Sequence, residues 1–160
     1  MMGILAATCL LFDSLTFEQQ FNLRKAYYYG KSHDYGYTLA AIALSESSAG
    51  KFRINIHTND VGLFQINVNT AYNTLGVTNY YRRLELVQRL IYDDALGASI
   101  AISVLDHFRR GRMMSRTVWE EMVMSYNEGY QWRNDPDSKE KAKQYLASVR
   151  YNVQNLRGCL

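Results

Sequence analysis

The sequence predicts a single, mostly α-helical domain with a minor β component. Apolar residues recur three and four positions apart along most of the chain, which is the period of an amphipathic helix. Only the segment 52–57 has an extended pattern. A chain of 160 residues, 48% hydrophobic and 21% charged, buries a sizeable core, and no linker divides it. We therefore expect one domain over residues 1–160.

Seven helices are predicted from this period. The apolar positions that define six of them are, in chain order, Phe17, Phe21 and Tyr28; Tyr37, Ala40, Ala41 and Leu44; Tyr80, Leu84, Val87 and Ile91; Leu96, Ile100, Val104 and Phe108; Val118, Met122 and Tyr126; and Ala142, Tyr145, Val149, Val153 and Leu156. The remaining helix is a short one over residues 65–75, before the third of these groups begins.

Capping and stop signals set the predicted ends of these helices. A capping box from Thr16 to Gln19 opens the first helix, and Ser115 begins the sixth. The second helix ends at Glu46, and the last covers roughly 138–156, after a loop-like stretch that holds the only proline, Pro136. The glycines that close predicted helices are Gly30, Gly76 and Gly111.

The chain begins with an apolar run, Met1 to Phe12. A signal peptide needs a basic first region, and a membrane helix needs about 20 apolar residues, whereas Asp13 ends this run early. We expect an uncleaved apolar extension over 1–13, followed by the domain core over 14–160. Cys9 and Cys159 lie near opposite ends, and a disulfide and two free thiols fit the sequence equally well.

Charge and motif content exclude several classes of function. The net charge of +3 suits an anionic polymer but is far below the signature of a nucleic-acid-binding protein, so we expect no nucleic-acid partner. The three histidines, His33, His57 and His107, are far apart, and no metal-binding or phosphate-binding motif is present. We therefore expect no metal and no cofactor.

Glu46 is the residue that most clearly indicates chemistry. It closes an almost wholly apolar segment, 37–44, and precedes a long loop over 47–61. An acid among apolar groups keeps its proton more readily than one in water, and a general acid needs this near neutral pH. A loop of this length in a compact helical protein is usually functional.

Two further segments follow Glu46 in a definite order. The first is Gly-Leu-Phe-Gln-Ile-Asn over 62–67, in which Gly62 allows close backbone approach and the amides of Gln65 and Asn67 suit sugar hydroxyl and N-acetyl groups. The second is Ser-Tyr-Asn-Glu-Gly over 125–129. Taken alone, the first segment is better explained as an ordinary helix start with polar residues on its exposed face, and the second also fits a core tyrosine before a helix stop. It is therefore their order that indicates function.

With the Glu-Ser pair at 46–47, these segments resemble the lysozyme-like lytic transglycosylase family over roughly residues 21–151. The resemblance implies a lysozyme-like, mostly α fold with a central cleft. It also implies cleavage of the bond between N-acetylmuramic acid and N-acetylglucosamine in peptidoglycan strands. In that family one glutamate, here Glu46, first protonates the glycosidic oxygen and then, as carboxylate, activates the 6-hydroxyl group, which gives a 1,6-anhydro product.

The resemblance assigns the remaining site residues. The substrate-binding residues that it implies are Phe64, Gln65, Asn67, Tyr126, Asn127 and Tyr145. The Tyr126 hydroxyl is expected to donate to the catalytic carboxyl or to the substrate, and Phe64 to form an apolar wall. For Tyr145, simple core packing is the favoured interpretation.

Some positions differ from the usual family pattern. Phe64 replaces a methionine, and Ser125 replaces an alanine. For the serine or threonine that contacts the acid in the family, the differing loop offers three candidates, Asn55, His57 and Thr58. These differences remove no chemistry from the predicted site.

Asp60 provides a second carboxylate and a second hypothesis. The run 58–67 also resembles the strand and turn that carry the second catalytic aspartate of animal-type lysozymes. If Asp60 faces Glu46 across the cleft, a hydrolytic, lysozyme-type reaction that uses water, or a mixed reaction, becomes plausible. A solvated loop aspartate, or an N-cap of the next helix, fits the sequence equally well.

The setting is also predicted, with alternatives. We expect the protein to act on the bacterial cell wall as part of a larger assembly. The favoured assembly is a phage virion, with phage tail or internal virion proteins as partners. A periplasmic secretion apparatus is the alternative. A third hypothesis is a structural or adaptor protein of such an assembly with little activity.

Overall fold

The computed structural model describes residues 9–160, and this part of the chain is mostly helical with a small sheet, as predicted. Residues 1–8, which hold most of the apolar extension, lie outside the described range. The elements are α1 (Leu10–Asp13), α2 (Phe17–Lys31), α3 (Gly36–Ser47), β1 (Ile54–Asn55), β2 (Asp60–Val61), β3 (Ile66–Asn67), α4 (Val68–Thr74), α5 (Tyr80–Tyr92), α6 (Asp94–Arg109), α7 (Arg116–Glu128) and α8 (Pro136–Leu156), with a 3₁₀ turn at Gln131–Arg133. Within residues 9–160, the helices are all too short or too polar to cross a membrane.

Helix α3 forms the centre of the core. Its residues from Leu39 to Ala43 are completely buried. A helix that is apolar on every face is stable only when other elements surround it, and α2, α6 and α8 pack against α3. Glu46 therefore belongs to a buried helix, as the apolar segment predicted.

Helix α2 buries a different face from the one predicted. Phe17 and Tyr28 are 81% and 75% exposed, and the inward face carries Leu23, Ala26 and Gly30 instead. A Cβ atom on Gly30 would lie 2.8 Å from the Tyr35 carbonyl group, so small residues are needed where α2 meets the start of α3. The large aromatic side chains consequently point outward.

Helix α5 shows the same kind of difference. Tyr80 and Leu84 were expected to define its apolar face but are exposed, whereas Leu86 and Leu90 are buried. The segment predicted as a helix over 65–75 is helical only over Val68–Thr74. Its first residues form a turn and strand β3 instead.

Side-chain caps explain where several helices begin. The capping box is confirmed, because the Thr16 hydroxyl accepts from the Gln19 amide and the Gln19 side chain accepts from the Thr16 amide. Ser115 caps α7, also as predicted. The prediction that Pro136 lies in a loop is wrong, since it is the first residue of α8, where a proline loses no helical hydrogen bond.

The sheet consists of three two-residue antiparallel strands in the order β1, β2, β3. Ile54 pairs with Val61, and Asp60 pairs with Asn67. The extended segment at 52–57 predicted only β1. Strands of two residues produce no alternation of their own, and β3 was hidden in the apparent helix.

Cys9 and Cys159 form a disulfide that joins the start of the described chain to its end. It closes a loop of sequence separation 150, and long loops lose the most conformational entropy when they are closed. We expect the double change Cys9→Ser and Cys159→Ser to lower the free energy of unfolding by about 3 kcal/mol. This corresponds to a fall in Tm of roughly 6–12 °C.

Calorimetry with and without a reducing agent checks this prediction. Reduction should lower the Tm of the unchanged protein and leave that of the double-serine variant where it is. A Tm of the unchanged protein that does not respond to complete reduction would contradict the proposed stabilisation.

Candidate active site

Glu46 lies in the last turn of α3, partly buried at one side of a cavity. Burial, the largest influence, raises the pKa of this carboxyl group, and the negative charge of Asp60 raises it further, whereas a hydrogen bond from Tyr145 lowers it. The net result is a pKa of about 7. Glu46 therefore exists in both protonation states near neutral pH.

Tyr145 holds the Glu46 carboxyl group in place. Its hydroxyl group donates a hydrogen bond of 2.6 Å to Glu46 Oε1 from α8. Burial raises the pKa of Tyr145 well above its usual value, and the neighbouring Glu46 and Tyr126 raise it further, so Tyr145 remains a donor. The interpretation of Tyr145 as simple core packing is incomplete for this reason.

The cavity beside Glu46 has a volume of about 390 Å³. It lies between the sheet and α4 on one side and α6 and α7 on the other. The side chains and backbone that line it belong to Glu46, Thr58, Asp60, Gln65, Ile66, Asn67, Thr70, Val104, Phe108, Ser125, Tyr126, Asn127 and Gly129. The three segments recognised in the sequence therefore meet at one cleft.

The turn over 62–67 forms one wall, and its shape depends on Gly62. This residue has φ +83°, and a Cβ atom here would lie 2.2 Å from the Leu90 carbonyl oxygen. Only glycine fits this approach to α5. The Gln65 side chain donates to the backbone oxygens of Gly62 and Phe52, so its amide nitrogen stabilises the turn.

Ser47 connects Glu46 to this wall. Its buried hydroxyl group donates to the Leu63 carbonyl oxygen at 2.7 Å and accepts from the Gly50 amide. Because Ser47 follows Glu46 directly, the bond fixes the distance between the acid and the turn. The Glu-Ser pair is thus structurally coupled to the segment 62–67.

Asp60 lines the same cavity as Glu46. It pairs with Asn67 across β2 and β3, and Asn67 Nδ2 donates to Asp60 Oδ1 at 3.0 Å. Asn67 also donates to the Thr58 carbonyl oxygen and caps α4 by accepting from the Asn69 amide. The amide of Asn67, expected to bind sugar, therefore orients Asp60 and begins a helix.

The structure corrects the prediction for the Phe64 side chain, and it gives the Tyr126 hydroxyl group a partner in the turn. Phe64 has no exposed surface, and its ring packs beside Gly97, so its side chain forms no wall that substrate can touch. The Tyr126 hydroxyl group donates to the Phe64 carbonyl oxygen at 3.0 Å rather than to the Glu46 carboxyl group. Tyr126 nevertheless lines the cavity.

The remaining predicted polar residues differ in whether they line this cavity. Of the three residues proposed to contact the acid, Thr58 lines the cavity, whereas the Asn55 side chain accepts a hydrogen bond from the His57 backbone amide. Asn127 lines the cavity and is exposed. Ser125 is buried and accepts a hydrogen bond from Trp132 Nε1.

Three further residues line the cavity although they were not among the predicted site residues, namely Thr70, Val104 and Phe108. Val104 and Phe108 were interpreted as core positions of α6, because helix-periodic apolar residues look alike whether they face a core or a cleft. No sequence pattern indicated that Thr70 would line the cavity. Among residues 9–160, no group of three or more His, Cys, Asp or Glu side chains is arranged to hold a metal ion.

The model of the family described as the transglycosylase SLT domain matches residues 25–148. This range includes Glu46, the turn at 62–67 and the segment at 125–129. The chain belongs to this family. Its members are peptidoglycan lytic transglycosylases with a lysozyme-like fold, which confirms the family, the fold class and the type of enzyme expected from the sequence.

Comparisons of this SLT domain with curated proteins and with solved structures give no significant match. The family assignment therefore rests on the match over residues 25–148 and is consistent with the geometry of the cleft. Peptidoglycan is the substrate class of the family.

The hydrogen bond from Tyr145 in this SLT domain leads to a prediction about pH. Because this bond lowers the pKa of Glu46, we expect Tyr145→Phe to raise that pKa above about 7. If the protonated form begins the reaction, the alkaline fall of kcat/KM moves to higher pH. Because the Glu46 carboxyl group is then no longer held in place by Tyr145, the maximal rate should also fall, on the order of tenfold.

A turbidity assay on purified cell walls across a pH series measures both effects. Tyr151→Phe is the matched control, since Tyr151 is an exposed tyrosine of the same helix. An unchanged pH profile in Tyr145→Phe would mean that Tyr145 does not act through the Glu46 carboxyl group.

Proposed function

We propose that this transglycosylase cleaves the β-1,4 bond between N-acetylmuramic acid and N-acetylglucosamine and forms 1,6-anhydromuramoyl ends, with Glu46 as acid and then base. The observation that carries the proposal is a carboxyl group with a pKa of about 7, held by Tyr145 at a cleft of the SLT family. A group with this pKa gives and takes a proton at neutral pH.

In the first step, protonated Glu46 donates its proton to the glycosidic oxygen. The bond from this oxygen to the anomeric carbon of the muramoyl residue breaks, and the N-acetylglucosamine leaves with a new hydroxyl group. The positive charge that develops at the anomeric carbon is stabilised by the neighbouring acetamido group of the substrate. Tyr145 then also donates to the carboxylate that forms on Glu46.

In the second step, the Glu46 carboxylate removes the proton of the muramoyl 6-hydroxyl group. The oxygen attacks the anomeric carbon and closes the anhydro ring, while Glu46 returns to its protonated form. No water is consumed. We propose that Gln65, Asn127 and Tyr126 shape the part of the cleft that holds the sugar, because all three line it.

A second candidate reaction is hydrolysis with Asp60 as the second carboxylate. It is supported by the position of Asp60 in the same cavity and by its effect on the pKa of Glu46. The hydrogen bond from Asn67 Nδ2 orients the Asp60 side chain, as a nucleophile or a charge stabiliser requires. Glu46 has the same first role in both reactions.

Mass spectrometry of digested cell walls separates the two reactions. The proposed transglycosylase releases ends that are lighter by one water than the reducing ends of hydrolysis. We expect anhydro ends, and we expect Asp60→Asn to retain them with a rate reduced less than on the order of tenfold. If the unchanged protein releases reducing ends and the Asp60→Asn variant does not, the enzyme is a hydrolase instead.

We also propose that the enzyme opens the wall locally as part of a phage virion. The Cys9–Cys159 disulfide supports a place outside the reducing cytoplasm, which both a virion and a periplasmic secretion apparatus provide. Proteomic analysis of purified virions tests this setting. Recovery with a secretion apparatus would contradict it, and wall binding without cleavage would favour the adaptor hypothesis.

A further inference from the structure

A second and larger cavity, of about 820 Å³, lies at the opposite end of α3 from Glu46. We call it the α3 start cavity. It is formed where α3 and α7 begin and where α2 and α8 end. Its lining residues include Tyr27, Lys31, Gly36, Trp119, Arg150 and Arg157. Its volume is that of a typical small-ligand site.

The charges around this cavity are mostly positive. Arg116 and Arg150 share one carboxylate, that of Glu120, at 2.9 and 2.7 Å. Lys31 and Arg157 also line the cavity and form no ion pair within residues 9–160. The one acidic lining residue is Asp34. An excess of cations therefore remains for a bound anion.

Aromatic side chains form the walls between these charges. The rings of Tyr27 and Tyr37 pack edge to face at 4.8 Å, and Trp119 Nε1 donates to Thr38 Oγ1 at 2.9 Å. A Cβ atom on Gly36 would lie 2.8 Å from the Tyr27 ring, so glycine admits the ring against α3. The walls are therefore fixed in position, as a preformed ligand site requires.

The first turn of α3 adds to the positive field of the cavity. Tyr35, at the N-cap position, provides no side-chain hydrogen bond to this turn, and Gly36, Tyr37 and Thr38 line the cavity. Unpaired amide groups at a helix start favour an anion. This effect reinforces the side-chain charges of Lys31 and Arg157.

We propose that the α3 start cavity is a second peptidoglycan-binding site, which takes the free carboxylates of a stem peptide while its aromatic walls contact the attached sugar or peptide backbone. This inference rests on the proposed function, because it assumes that the enzyme works on peptidoglycan. A polymer presents many stem peptides, so a second contact raises the local concentration of glycan strands at the cleft.

The position of the cavity fits this role. Gly36 and Glu46 lie at opposite ends of α3, about 15 Å apart along its axis, so binding at one end leaves the cleft at the other end open. An acidic segment of a partner protein carries similar carboxylates. It lacks the sugar whose apolar faces match aromatic walls, and peptidoglycan is therefore favoured.

Binding measurements test the proposal. They use the Glu46→Gln variant, because a protein that does not cleave glycan leaves the ligand intact. Isothermal titration uses a muropeptide with free stem-peptide carboxylates, the same muropeptide after amidation of those carboxylates, and a polyglutamate peptide. In the same background, Lys31→Ala with Arg157→Ala removes two cavity cations. Lys139→Ala with Lys143→Ala is the matched control, since both lysines are exposed and line neither cavity.

We expect the Lys31 and Arg157 changes to weaken muropeptide binding on the order of tenfold, and the control changes by less than about twofold. Amidation of the ligand should weaken binding to the unmodified cavity by a similar factor. This second measurement needs no change in the protein, so it also covers a variant that folds poorly.

Three results would overturn the proposal. They are equal binding by the cavity and control variants, equal binding of the free and amidated muropeptides, and binding of polyglutamate without binding of the muropeptide. The last result would assign the cavity to an acidic protein segment. Because the assay measures binding by a variant that lacks Glu46, its outcome is independent of the product analysis that tests the reaction.

Discussion

Glu46→Gln is expected to lower the rate of cell-wall cleavage by on the order of 10³-fold, because the amide can neither give nor take the proton in the two proposed steps. The substitution keeps the size and shape of the side chain. The Gln side chain still offers an oxygen to the Tyr145 hydroxyl group, so the hydrogen bond of 2.6 Å to Oε1 has a counterpart.

A turbidity assay and product analysis measure this loss. Glu85→Gln is the matched control, since Glu85 is exposed on α5 and lines neither cavity. Its rate should equal that of the unchanged protein. If Glu46→Gln cleaves walls at an undiminished rate, Glu46 is not the acid, and the proposed mechanism fails with it.

The Glu46→Gln variant should also be more stable than the unchanged protein above neutral pH. The folded-state pKa of Glu46, about 7, lies above its ordinary value of 4.5, so the folded protein binds this proton more tightly than the unfolded chain. The resulting stability is fully present below about pH 4 and is lost as pH rises through 7. We therefore expect Glu46→Gln to have the higher Tm at pH 8 and an equal Tm at pH 4.

The second large effect is expected from Asp94→Asn, which breaks an ion-pair network under the long loop. Asp94 is only 6% exposed, and its two carboxylate oxygens accept from Arg53 at 2.6 Å and from Lys25 at 2.5 Å. The network joins α2, the segment before β1 and α6. Removal of the buried anion leaves two cations without their partner, and we expect a loss of about 3 kcal/mol in the free energy of unfolding.

The pH dependence of this loss has a definite sign. Burial, the largest influence, would raise the pKa of Asp94, but hydrogen bonds and charges from Arg53 and Lys25 overcome it and lower the pKa. A lowered pKa means that the stabilisation is present above the unfolded value, about 4, and is lost as pH falls through the folded value. The difference between Asp94→Asn and the unchanged protein should shrink below pH 4.

Denaturant unfolding at pH 7 and at acid pH measures both quantities. Asp137→Asn is the control, an exposed aspartate in the first turn of α8, and its change should stay below about 1 kcal/mol. Arg53 also donates to the Ile91 carbonyl oxygen, and its own carbonyl oxygen accepts from the Gly62 amide. A stable Asp94→Asn variant would show that the network does not anchor the loop.

The position of Glu46 at the end of a buried helix could be predicted from the sequence because its environment is local. The segment 37–44 is apolar at nearly every position, and such a helix must be surrounded by other elements, so its last acid lies at the boundary of a core. The order of the Glu-Ser pair, the turn at 62–67 and the segment at 125–129 then indicated a shared cleft. The structure brings all three together.

Contacts between distant segments could not be predicted in the same way. Tyr145 and Glu46 are separated by 99 positions, and a tyrosine in a helical period looks the same whether its hydroxyl group meets a carboxylate or water. Phe64 resembled a cleft wall, but the space that Gly97 leaves on α6 takes its ring into the core. Both outcomes depend on the packing of one helix against another element.

The sequence by itself determined the helical class, the central apolar helix, the acid at its end and the family of the chain. These features depend on period, composition and motif order, which are properties of neighbouring residues. Only the tertiary structure decided that Tyr145 positions the acid, that Asp60 faces the same cleft, that Cys9 and Cys159 pair and that a second cationic cavity exists. Each of these joins residues far apart in the chain, and their distances follow only from how the helices pack.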